Sequence, residues 1–273
     1  MTIKGTLFIA VAVAVVGSAL AGDTPITHCA FVVTAPGNYF LANDLGPCPP
    51  PFAINVAASK VRLRLEGHTI AGLGLEQGDG ILATAVHDIK IKGPGTITGF
   101  DTGIRWQNIE DSEVKGVTAS RHVNGFVIDG GSRNRFKQNV VSNNLRGIAI
   151  EGSNDTTLEE NATNDNFGDS GIAIRAAHGN ALRGNTANHN GCVGFGGFGI
   201  EIGNSARNRI EENTANGNCS GGIALQFGST ENEIEDNTAL GNQRFDLSDD
   251  GPNCDANRWV ENRFLTANQG CIH

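Results

Sequence analysis

The feature that most constrains this chain is a repeat of roughly two dozen residues. Apolar-x-apolar openings begin at Ile104, Phe126, Ile148, Ile172, Ile200, Ile223 and Leu247, spaced 22, 22, 24, 28, 23 and 24 residues apart. Glycine precedes each except Leu247. From the Phe126 segment onward a second apolar column follows: Phe136, Leu158, Leu182, Ile210, Ile234 and Trp259. Three residues beyond stand Asn139, Asn161, Asn185, Asn213, Asn237 and Asn262, and five further on Asn144, Asn166, Asn190, Asn218 and Asn242. A third polar column reads Asn134, Thr156, Asn180, Asn208, Asn232 and Asn257.

Self-similarity at such a period specifies a solenoid. No part of the repeat sustains a helical period, and Gly and Asn recur too densely for helices. Runs such as Ile148-Ala149-Ile150 alternate with the period of a strand, and the Leu-x-x-Leu-x-Leu pattern of leucine-rich repeats is missing. The expectation is an all-β parallel β-helix of about eight or nine coils, laps stacked at about 4.8 Å. The Asn columns then read as turn ladders, since Asn tolerates left-handed backbone and its amide bonds the Asn above and below. The sequons at Asn154, Asn161 and Asn218 are discounted as glycosylation sites for the same reason.

The pattern Gly-Ile-x-Ile, Asn-x-Ile-x-x-Asn and Asn-x-x-x-x-Gly resembles the right-handed parallel β-helix proteins of the pectin-lyase-like superfamily, from about Val61 to His273. Cys29 with Thr34-Ala35-Pro36-Gly37-Asn38-Tyr39, and Asn257-Arg258-Trp259 with Cys271-Ile272, resemble the ends of a secreted subset of that group. The architecture hosts lyases, hydrolases, epimerases, tail spikes and non-catalytic modules, so the resemblance implies the fold and leaves the activity open.

Residues 1–21 carry Lys4, an apolar run from Thr6 to Val16 and Ala19-Leu20-Ala21, the pattern of a cleaved signal peptide. The run is too short to span a bilayer, so a secreted or periplasmic protein with no membrane partner is expected. Residues 22–60 lack the repeat and read as an N-terminal cap. Residues 61–273 are the β-helix, with a C-terminal cap from about 247. Six cysteines in an exported chain suggest three disulfides. Cys192 and Cys219 fall at nearly the same corner of adjacent laps, and locality pairs Cys29 with Cys48 and Cys254 with Cys271. A formal charge of −9 and few aromatic residues argue against nucleic acid. The same charge is unfavourable for an acidic sugar unless a local basic cluster or a bound cation reverses the field.

With the Ile columns inward, the intervening residues face out. One outward column is Arg105, Val127, Ala149, Ala173, Glu201, Ala224 and Ser248; the next is Gln107, Asp129, Glu151, Arg175, Gly203, Gln226 and Asp250. His122, Arg146 and Asp169 stand at the preceding corners. By analogy with uronan-cleaving members of the superfamily, Asp129 and Glu151 are candidate Ca2+ ligands. Arg175 and Arg146 are a candidate base or sugar-carboxylate clamp, and His122 completes the candidate catalytic set. Arg105, Gln107, Glu201, Phe195 and Phe198 are candidate sugar contacts. The competing reading is a solvated face with ordinary cross-strand ion pairs.

The motif sets of polygalacturonases, pectate lyases and alginate epimerases are missing. The partner expected is therefore an extracellular or cell-wall polysaccharide, met by a monomer as lyase, epimerase or non-catalytic module. A third class is the periplasmic copper-associated β-helix family that helps mature nitrous oxide reductase. It has a similar repeat, but here the sole Met is Met1 and no His-x-His occurs.

Overall fold

The computed structural model of the chain describes residues 22–75, 77–193 and 196–273. The expected signal peptide and Phe195 therefore lie outside the described residues. Every strand pairing is parallel, and each lap visits three sheets in turn. The first sheet has ten strands, from Phe31–Val33 to Phe245–Asp249, and carries the Gly-Ile-x-Ile segments. An eleven-stranded second sheet runs from Thr24–Ile26 to Arg258–Val260. The third holds five, from Leu45–Cys48 to Val140–Val141. Beyond Val141 that third side narrows to single bridges through Ala162, Thr186, Thr214 and Thr238.

The register places like on like. Ile148 pairs with Phe126 above and Ile172 below, and Ile150 with Ile128 and Ile174. Leu158 lies between Phe136 and Leu182 in the second sheet. These side chains are fully or almost fully buried, and at about 25 cal/mol per Å2 of apolar surface removed from water they are the main source of stability.

The three polar columns are buried hydrogen-bonded ladders. The Asn185 Oδ1 accepts from both N and Nδ2 of Asn161 at 2.9 Å, and the Asn185 Nδ2 donates to Leu158 O and to Asn213 Oδ1 at 2.9 Å. The same pattern repeats from Asn139 to Asn262 and from Asn144 to Asn242. One detail differs from expectation. The left-handed residue is the one before the ladder Asn, as in Gln138, Glu160, Gly184, Glu212, Asp236 and Glu261, with φ of 53–63°. The bend falls there so that the next side chain turns its amide into the corner.

Residues 22–60, expected as the N-terminal cap, contribute five strands that join the same sheets, with Phe31 registered on Ile54 and Tyr39 on Leu63. These laps escaped recognition because they lack Asn columns, while their inward residues Ile54, Val56 and Leu41 remain apolar and buried. All three disulfides form as expected: Cys29–Cys48, Cys192–Cys219 and Cys254–Cys271. At the far end the coil continues through Phe245–Asp249 and Arg258–Val260. There the buried Asp249 accepts from Trp259 Nε1 at 3.0 Å, Asn257 Nδ2 at 3.1 Å and Gly251 N at 2.9 Å.

Candidate functional site

The outward columns of the first sheet fall as the alternation requires. Asp129 is registered on Glu151, Glu151 on Arg175, and Arg105 on Val127. Both Asp129 and Glu151 are exposed, and neither takes part in an ion pair of the described residues. Ala149, Ala173 and Ala224 point outward yet are buried beneath their neighbours. They contribute almost no open surface to this face, and Glu201 stands between Ala173 and Ala224.

The cations of the face are already engaged. Arg105 donates to Asp79 Oδ1 at 2.9 Å, Asp101 Oδ2 at 2.9 Å and Thr102 Oγ1 at 2.6 Å. Burial raises the Asp79 carboxyl above its ordinary range, and Arg105 offsets part of that rise. Arg175 donates to Glu201 Oε2 at 2.7 Å, one lap further on, and Glu201 also accepts from Ser170 Oγ at 3.1 Å. Arg146 donates to Asp169 Oδ2 at 2.7 Å. A guanidinium paired along one edge still has N–H donors to offer a sugar carboxylate, as a clamp would. Gln107 accepts from Thr84 Oγ1 at 3.2 Å.

His122 does not belong to this face. It is buried, with Nδ1 accepting from Phe100 N at 3.1 Å and Nε2 3.0 Å from Ile97 O. Its own N–H donates to Asn144 Oδ1 at 3.0 Å. His122 thus stands one lap above Asn144 as a ladder member, and burial pulls its pKa down to about 4. That removes it from the candidate catalytic set.

Beside this face, at the corner between the third and first sheets, lies a cleft of about 660 Å3. Arg146 and Asp169 form its polar side, and Val123, Leu145 and Val193 its apolar side. Sequence reading placed Arg146 and Asp169 at neighbouring corners without pairing them, and it missed Leu145 and Val193, whose exposure depends on how the corners fold. Phe198 sits further along, over a smaller recess of about 260 Å3 shared with Gln226, Arg244, Ser248 and Asp250.

A family model described as periplasmic copper-binding protein (NosD) matches residues 61–269. The chain belongs to the NosD family. Solved structures similar to this NosD-family chain include the periplasmic alginate epimerase AlgG, at 14% identity with a TM-score of 0.61 over 85% of this chain and 68% of that one. The Azotobacter vinelandii mannuronan C-5 epimerase AlgE6 A-module matches at 14% identity and TM-score 0.60, over 90% and 84%. The Dettilon tailspike protein matches at 18% and 0.66, over 87% and 53%. At these identities the likeness is one of fold. No curated protein sequence matches the chain.

Copper, named in the family's description, does not fit the residues of this member. All six cysteines are in disulfides, and among the described residues no three His, Cys, Asp or Glu side chains converge. His122 is a buried ladder member, and His178 Nδ1 accepts from Ala206 N at 3.1 Å. Soft or imidazole donor sets for copper are not assembled here.

Proposed function

We propose that this NosD-family chain is an exported β-helix protein that binds an extracellular or cell-wall polysaccharide along the outer face of its first sheet. The observation that carries the reading is the outer face itself, where exposed Asp129 and Glu151 and then Arg175 stand on successive laps. The Arg146–Asp169 cleft lies at the neighbouring corner. Fixed carboxylate and guanidinium groups in such a row meet sugar hydroxyls and carboxylates. The fold is similar to that of an alginate epimerase and a mannuronan epimerase, which supports the same partner class. Membership of a family described as periplasmic and three disulfides support export. Among the described residues no helix is long and apolar enough to cross a membrane.

For a uronan, Asp129 and Glu151 together with the sugar carboxylate supply oxygen donors for a shared Ca2+, the remainder being water. Arg175 and Arg146 act as clamps for sugar carboxylates. A lyase and a non-catalytic binding module are separated by the product assay below.

Titration calorimetry against uronans and neutral glycans, with Ca2+ and with chelator, tests the proposal. Asp129→Ala with Glu151→Ala should weaken uronan binding about tenfold or more while leaving the melting temperature nearly unchanged, the side chains being exposed and unpaired. Unsaturated product at its absorbance band would add a lyase activity. Full affinity in the double variant, or no glycan binding at all, contradicts the reading. Tight stoichiometric Cu2+ uptake would replace it with the copper class.

A further inference from the structure

The chain carries a formal charge of −9, yet its lysines are not scattered. After Lys4 the only lysines are Lys60, Lys90, Lys92, Lys115 and Lys137. Four of these five project from three adjacent strands of the second sheet: Ile89–Lys92, Glu113–Lys115 and Arg135–Lys137. In register, Arg64, Lys92, Lys115 and Lys137 stand one above another. At about 4.8 Å per lap that is a column of like charge about 14 Å long, with Lys90 beside it. Like charges directly opposite on a sheet repel.

The two ends of the column are tied down. Arg64 pairs with Asp23 at 2.8 Å and Glu66 at 2.5 Å, and Lys137 with Glu159 at 2.6 Å. Lys90, Lys92 and Lys115 have no ion-pair partner among the described residues, and Lys92 and Lys115 are exposed. The continuation of the same sheet behaves differently. There Arg183 pairs with Glu212, Arg209 with Glu211, and Arg258 with Glu233. The C-terminal half of the face thus neutralises itself, and the N-terminal half leaves a row of positive charge in an acidic protein. A recess of about 380 Å3, formed by Lys92, Gly93, Pro94, Lys115 and Gly116, opens beside that row.

We infer that the N-terminal half of the second sheet is a docking track for a linear carboxylated polysaccharide, held by Lys92 and Lys115; Lys90 is registered on Glu113 and contributes less. A flat row with one cation per lap suits a chain that carries one anionic group per repeating unit. An anionic membrane is disfavoured because the large exposed apolar side chains, such as Leu73, Leu145, Phe167 and Phe227, lie elsewhere and leave no anchor beside the lysines. Nucleic acid lacks the aromatic platforms it would stack on. The track is separate from the outer face of the first sheet and does not depend on the proposal made for it.

The test uses the full chain carrying Asp129→Ala and Glu151→Ala, in chelator, so that the first-sheet carboxylates do not contribute. Polygalacturonate binding is measured at low and high salt. Lys92→Gln with Lys115→Gln should lower affinity about tenfold and flatten the salt dependence, and Lys92→Arg with Lys115→Arg should retain both. Vesicles containing phosphatidylserine should not bind. Undiminished affinity in the Gln variant, absence of polygalacturonate binding in the parent, or binding of vesicles in its place would each overturn the track.

Discussion

At the scale of single residues the fold is held by amides doing one job on successive laps. His122 shows how strict that job is. An Asn at its place would accept from Phe100 N and donate to Ile97 O; the imidazole does both through Nδ1 and Nε2–H. Protonation would put a proton on the nitrogen that must accept. Burial therefore holds the ring neutral, with a pKa of about 4 against an ordinary 6.5. The unfolded chain takes up the proton first as pH falls. Stability from the neutral ring is complete above pH 6.5 and is lost progressively toward pH 4, by about 3 kcal/mol. Chemical denaturation at pH 7 and pH 4.5 checks this: His122→Asn should keep the pH 7 stability and remove much of the acid loss. Asn185→Ala should cost about 3 kcal/mol or more. It leaves Asn161 N and Nδ2 without their acceptor and Leu158 O without its donor, all in the buried corner. An unchanged denaturation midpoint would contradict the ladder's energetic role.

At the scale of elements, what recurs was legible and what terminates was not. The core columns, the Asn ladders and the Cys192–Cys219 bridge follow from register, because identical corners leave the same letters one lap apart; Cys29–Cys48 and Cys254–Cys271 follow from locality alone. The five strands within residues 24–56 carry no such letters, so their place in the sheets was hidden behind Pro and Cys. His122 was misplaced for the opposite reason: a corner residue read as exposed belongs to a column whose side chains turn in. Asp246 ends the Asn144–Asn242 ladder in an equally unadvertised way. Its Oδ1 accepts from Asn242 N and Nδ2 at 3.0 and 2.9 Å, and its Oδ2 from Leu265 N and Thr266 N at 2.9 and 3.1 Å. Burial pushes this carboxyl up, but the bonds from Asn242, Leu265 and Thr266 outweigh it, and the net shift is downward. Asp246→Ala should loosen the last laps first. Hydrogen exchange should rise in residues 237–272 while strands such as Arg146–Glu151 stay protected; uniform exchange throughout would contradict a local terminating role.

At the scale of the whole molecule, the coil presents two long faces of different character. The first sheet offers exposed Asp129 and Glu151, and its guanidiniums are spent on Asp79, Asp101, Asp169 and Glu201. The second offers free lysines over its N-terminal half. Sequence reading located the first face through alternation, but it could not say which charges would pair across laps, since that depends on the reach of each side chain. It also asked for a local basic cluster, and the structure provides one on a different face. The repetitive core makes the coil vulnerable in a predictable way: Ile150→Asp buries a charge between Ile128 and Ile174 and should abolish the cooperative melt, whereas Glu151→Ala next to it should not. The most direct measurement of the central claim is a crystal structure of the Lys92→Gln, Lys115→Gln chain soaked with an oligosaccharide that it binds in solution. The account predicts sugar rings lying over the outer face of the first sheet within reach of Asp129, Glu151 and Arg175; an ordered sugar on any other surface, with that face bare, would contradict it.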